Sequence, residues 1–125
     1  MTGRRVLLVE DDPILQRAAD ASLRQRGFVV LTASDGEEGL RIAREQCPDL
    51  VLLDLLMPLM PGMELLRSLK AEDATRHIPV LILSNSSRDD DNREAISLGA
   101  AGYLVKANIS LKELGDHVER LLRAP

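Results

Sequence analysis

Glu10 and Asp11 follow the apolar run "VLLV", Asp54 follows "LVLL", Ser84 follows "VLIL" and Lys106 follows "YLV". Asp54 is the least expected of these. The stretch "VLLDLLMPLMPG", Val51 to Gly62, sets one carboxylate among residues that favour leaving water. Such a carboxylate is costly unless it is paired, metal-bound or chemically used. Three carboxylates brought together repel one another and call for a cation. Oxygen-only ligands favour Mg²⁺, which takes one or two carboxylates together with water and phosphate oxygens. Asp54 then has a use, because a carboxylate can attack a phosphoryl group to form an aspartyl phosphate when metal and cationic side chains neutralise charge on the transferring oxygens. Lys106 offers a compact positive charge to one phosphoryl oxygen, and the Ser84 hydroxyl a hydrogen bond to another.

For these residues to meet, the runs before them must end at one place. Five short β-rich runs stand out: Val6 to Val9, Phe28 to Leu31, Leu50 to Leu53, Val80 to Leu83 and Tyr103 to Val105. Helical segments lie between them. Asp12 to Arg26 carries Ile14, Leu15, Ala18, Ala19, Ser22 and Leu23 on one face, with Asp12 as N-cap, Pro13 at the first helical position and Gly27 as the stop. Asp35 to Gln46, Gly62 or Met63 to about Ala71, about Arg88 to Leu98, and Ser110 to Arg123 complete the set, the last with an apolar stripe of Leu111, Leu114, Val118, Leu121 and Leu122. Strands alternating with helices make βαβ units, hence a doubly wound α/β fold with a five-stranded parallel sheet and helices on both faces. Unbroken apolar runs suit strands buried on both sides. Such sheets carry their functional groups at the carboxyl ends of the strands, which gathers Glu10, Asp11, Asp54, Ser84 and Lys106 on one edge. The second strand ends in Thr32, Ala33 and Ser34 and receives no chemistry.

A chain of 125 residues reads as one domain, residues 1–125, burying roughly 65 to 70% of the surface its unfolded form exposes. No apolar run approaches the roughly 20 residues of a membrane span, and the start "MTGRRVLLVEDD" has too short an apolar core for a signal peptide, so a cytoplasmic protein is expected. The net charge of −4 and scattered arginines argue against direct nucleic-acid binding. Cys47, the single cysteine, reads as a partly buried helix-end residue rather than a redox group.

Five motifs in order now carry a resemblance: "LLVEDD", "PDLVLLDLLMP", "MPGMELL", "IPVLILS" and "GAAGYLVKA". From Arg4 to Leu122 the chain resembles the receiver domain of bacterial two-component response regulators. The resemblance implies strand order 2-1-3-4-5 and phosphorylation of Asp54 by a phosphohistidine on a sensor histidine kinase or histidine phosphotransfer protein. It also implies a Mg²⁺ shell of Glu10, Asp11, Asp54 and the Leu56 backbone carbonyl, and a switch pair of Ser84 and Tyr103. Kinase docking falls to the start of the first helix, at Leu15, and to the loop after Lys106, at Ala107. A downstream protein is expected to read the face of helix 4, strand 5 and helix 5, with the domain a monomer or weak homodimer, no output domain in this chain and no membrane partner. The protein would promote its own phosphotransfer and dephosphorylation while acting as a switch rather than an enzyme on other molecules.

Several residues have plainer readings. Asp12 before Pro13 reads as a helix cap, Asp89 to Asp91 as a solvated helix start, His77 and His117 as solvated side chains, and Met57, Met60 and Met63 as packing. Three positions depart from the family pattern. Ala107 replaces a common proline and favours a trans peptide, Asn85 stands where a small residue is usual and narrows access to the phosphoryl group, and Pro61 replaces an acid and stiffens its loop. A phosphatase of the dehalogenase kind would want an acid two residues after the nucleophile, where Leu56 stands. A phosphorylation-independent docking module with the receiver fold would be expected to lose the lysine or an acid, and this chain keeps them all.

Overall fold

The computed structural model describes residues 3–55, 60–85 and 89–123, apart from the side chain at 89. Each apolar run forms a strand: β1 Arg5–Val9, β2 Val29–Ala33, β3 Leu50–Leu53, β4 Val80–Ser84 and β5 Gly102–Val105. The helices are α1 Pro13–Gln25, α2 Gly36–Gln46, α3 Gly62–Ala71, α4 Asp89–Ser97 and α5 Leu111–Arg123, and a 3₁₀ turn spans Lys106–Asn108. All neighbouring strands are parallel, in the order β2-β1-β3-β4-β5.

The two-residue period of the strands divides their side chains between two cores. Val6, Leu8, Leu52, Leu81 and Leu83 pack with Ala19 and Leu23 of α1 and Leu114, Val118 and Leu122 of α5. Leu7, Val9, Val51, Leu53, Val80 and Ile82 pack on the other face with Leu40 and Ala43 of α2, Leu65, Leu66 and Leu69 of α3, and Ala95 of α4. Helices covering both faces explain why the strands need no polar side.

Local chemistry sets the ends of the elements. The Asp12 carboxylate accepts from the backbone N–H groups of Ile14 (2.9 Å) and Leu15 (3.4 Å), and Pro13 opens α1. Gly27, at φ 93°, turns the chain out of that helix. A capping box starts α5, and a variant of it starts α2. At α5 Ser110 and Glu113 exchange both bonds, whereas at α2 Asp35 accepts from Glu38 N and the Glu38 carboxylate accepts from Ser34 N, one residue before the cap. Gly62 opens α3 against the backbone after β3. A side chain there would place its Cβ 2.3 Å from the Asp54 carbonyl oxygen and 2.5 Å from Leu55 Cα.

Some expectations need correction. β2 runs from Val29 to Ala33 rather than from Phe28 to Leu31, because its ladder with β1 begins at Arg5 with Val29 and ends at Val9 with Ala33. Phe28 is buried in the α1–α5 core instead. Ile14 does not join the buried stripe of α1: it is 78% exposed. Cys47 is exposed in a left-handed conformation at the end of α2, not partly buried. The peptide joining Lys106 and Ala107 is trans, as its residue types suggest, and the 3₁₀ turn it belongs to was not foreseen.

Candidate functional site

Register alone brings the acids together. Val9 pairs with Leu53, so the residues that follow, Glu10 and Asp54, leave the sheet side by side. Asp54 N donates to Val9 O (3.1 Å) and Glu10 N to Ala33 O (3.0 Å), which prolongs the ladder one residue past the strands. Carboxylate oxygens of Glu10, Asp11 and Asp54 then lie within 4.8 Å of one another. Glu10 and Asp54 are buried and Asp11 is exposed. The expected trio is thus assembled. Asp12, one residue further, turns away to cap α1, as its position before proline suggests.

Lys106 closes the site from the far side of the sheet. Leaving β5 in the 3₁₀ turn, it places Nζ 2.9 Å from Glu10 Oε1 and 3.2 Å from Asp54 Oδ2. The second Glu10 oxygen accepts from Asp12 N at 3.1 Å. Burial pushes the Glu10 carboxyl up to about 7, with the nearby Asp54 charge adding to it and the bonds from Lys106 and the Asp12 backbone opposing it. Burial also pulls the Lys106 ammonium down, but its bond to Glu10 and the charges of Asp54 and Glu10 outweigh this and hold it above its ordinary range. Lys106 therefore stays cationic. When all three carboxylates are ionised, one ammonium leaves two negative charges in this cluster. An oxygen-only set with that charge fits a hard divalent cation, not one that prefers nitrogen or sulfur. The Leu56 carbonyl, expected as a further ligand, lies outside the described residues, as does Met57.

Ser84 ends β4 and is fully buried. Tyr103 pairs with Ile82, two residues before Ser84, so Ser84, Ile82 and Tyr103 project to the same face of the sheet, the one covered by α4. Tyr103 is half-buried there. Asn85, just beyond Ser84, is exposed.

On the opposite face, Leu15 is half-buried and lines an apolar groove of about 120 Å³ with Leu83, Lys106, Ile109, Leu111 and Leu114. Leu111 is partly open to solvent in that lining, Ile14 is exposed next to Leu15 in the chain, and Ala107 is exposed in the turn. The groove joins the two segments expected to dock a partner. Residue spacing within α1 gave no sign that Ile109 would complete it. Gln16 was also missed: its Nε2 donates to Glu10 O (2.9 Å) and Ala33 O (3.2 Å). Its helical position, six residues after Glu10, was the available signal.

The family model of the response regulator receiver domain matches residues 6–119. This chain belongs to that family. The receiver is 44% identical over 119 residues to the transcriptional activator protein PfeR of Pseudomonas aeruginosa, covering 95% of this chain and 38% of that one. It is 42% identical over 123 residues to the transcriptional regulatory protein PrrA of Mycobacterium tuberculosis, covering 98% of this chain and 52% of that one. The receiver thus spans about half the length, or less, of these curated relatives. Among solved structures, the receiver domain of the sensor histidine kinase PA1611 from P. aeruginosa, with a magnesium ion coordinated in its active-site cleft, superposes with a TM-score of 0.89 at 29% identity over 98% of this chain and 100% of that one. The fold is that of chemotaxis-type receivers, and the chain is a signalling module of two-component systems. Among the described residues no helix is long and apolar enough to cross a membrane.

Proposed function

We propose that this receiver accepts a phosphoryl group on Asp54 from a phosphohistidine of a sensor histidine kinase or histidine phosphotransfer protein. The observation that carries the reading is the Lys106 ammonium placed against both Glu10 and Asp54 within the acidic cluster. Glu10, Asp11 and Asp54 would hold Mg²⁺, with the Leu56 carbonyl as a further ligand by family resemblance. The ion, when bound, neutralises charge on the phosphoryl oxygens. One Asp54 carboxylate oxygen forms the new O–P bond as the P–N bond to the donor imidazole breaks, and the imidazole keeps that electron pair. Lys106 exchanges its contact with Asp54 for one with a phosphoryl oxygen, and the Ser84 hydroxyl donates to another. Hydrolysis at the same site, by water attack on phosphorus, returns the carboxylate.

The apolar groove beside Leu15, with exposed Ile14 and Leu111, supports docking of the phosphohistidine protein on α1 and the turn after β5. Apolar anchors rimmed by polar residues are the usual core of such contacts. Movement of Ser84 toward the phosphoryl group vacates space on the α4 face, and Tyr103 turns in to fill it, which biases the surface of α4, β5 and α5 read by a downstream protein. The protein works as a cytoplasmic switch rather than as an enzyme on a second substrate. Mass spectrometry after exposure to a small phosphodonor and Mg²⁺ tests the assignment. One phosphoryl adduct is expected, and Asp54→Asn should abolish it. An unmodified wild-type protein that still binds its partners would favour the phosphorylation-independent docking module.

A further inference from the structure

The β1–β2 ladder ends at the pair Val9 and Ala33, so the carbonyl of Glu10 leaves the sheet without a strand partner. Gln16, half-buried in the first turn of α1, takes its place: Nε2 donates to Glu10 O at 2.9 Å and to Ala33 O at 3.2 Å. Ala33 O also accepts from Glu10 N at 3.0 Å. Two carbonyl oxygens can be served only by the NH₂ end of a carboxamide, since its oxygen would repel both. Glu10 is therefore held at its N–H by Ala33, at its C=O by Gln16, and at its two carboxylate oxygens by Lys106 and Asp12 N. The Gln16 side chain's polar contacts are both to backbone carbonyls of the strand ends.

We propose that Gln16 is a positioning residue for the cation site, its carboxamide binding the ends of β1 and β2 together and so fixing the direction in which the Glu10–Asp11 pair leaves the sheet. The proposal rests on the reading of Glu10, Asp11 and Asp54 as a Mg²⁺ site. Groups that orient metal ligands from behind carry roughly 10- to 100-fold in affinity, and one acting through a ligand's backbone belongs at the lower end. Gln16→Leu keeps the bulk and removes both donors. Gln16→His, uncharged above neutral pH, keeps an N–H donor of similar reach.

Calorimetric titration of the whole chain with Mg²⁺ at pH 8 should show about a tenfold weaker Kd for Gln16→Leu and a value closer to wild type for Gln16→His. Without metal, the Asp11 and Asp12 amides of Gln16→Leu should exchange hydrogen faster, while the amides of β4 and β5 should exchange as in wild type. A residue that merely stabilised the fold would lower the melting temperature without this split. If Gln16→Leu does not fold, Gln16→Ser, which leaves both carbonyls to water, supplies the comparison. Wild-type Kd and wild-type exchange in the folded variant would overturn the role of Gln16 alone. Absence of Mg²⁺ binding by the wild-type protein would overturn the cation-site reading beneath it.

Discussion

Lowering the pH should weaken Mg²⁺ binding through Glu10. This carboxylate is 2% exposed and burial holds it at about 7 in the metal-free protein, so a cation must displace its proton at neutral pH and below. At pH 8 roughly nine-tenths of Glu10 is ionised and at pH 6 roughly one-tenth, so the apparent affinity should fall about tenfold between them, about 1.4 kcal/mol. Isothermal titration at constant ionic strength reads this directly. Glu10→Gln should bind more weakly at pH 8 and lose this part of the pH dependence, because an amide does not titrate in that range. The linked stability has a definite sign. The folded protein holds the Glu10 proton more tightly than the unfolded chain, where the value is 4.5, so this group's contribution is fully present below about pH 4.5 and is lost as pH rises through about 7. Metal-free Glu10→Gln should accordingly show a flatter melting profile across that window. Equal Mg²⁺ affinity of the wild type at pH 6 and pH 8, or the same slope in Glu10→Gln, would refute the reasoning.

Other outcomes follow from the same geometry. Gly62→Ala must displace the backbone at Asp54 and Leu55, and should cost about 1–3 kcal/mol in urea unfolding while slowing phosphorylation at Asp54. Ile14→Asp, at a site 78% exposed, should leave stability within about 0.5 kcal/mol yet slow transfer from the phosphohistidine partner roughly tenfold or more, with transfer from a small phosphodonor unchanged. Equal slowing from both donors would remove the docking role. Tyr103 is the single tyrosine in a chain without tryptophan, so iodide quenching of its emission should decrease on phosphorylation as the ring becomes more buried, and Ser84→Ala should reduce that change. Unchanged quenching in fully phosphorylated protein would end the aromatic-switch mechanism while leaving Asp54 its role.

Periodicity and residue chemistry carried much of this molecule. Continuous apolar runs have no solvent side, so five of them alternating with amphipathic helices leave little choice but a covered parallel sheet, and the polar residue after each run necessarily emerges at the strand's carboxyl end. Asp12 before Pro13 was legible as a cap for the same local reason: one carboxylate within reach of the first free N–H groups. The tertiary structure decided what depends on two segments meeting. The extent of β2 follows its ladder with β1 rather than its own apolar residues. Ile14 fits the helical stripe, yet the packing of α1 leaves it 78% exposed. The groove that joins Leu15 to Ile109 spans 94 positions of sequence, and the Gln16 bond to Ala33 spans 17, so neither has a local signature. The burial that raises Glu10, and the lysine from β5 that opposes it, are likewise properties of strands brought into register, because desolvation and Coulomb energy depend on distance in space and not along the chain.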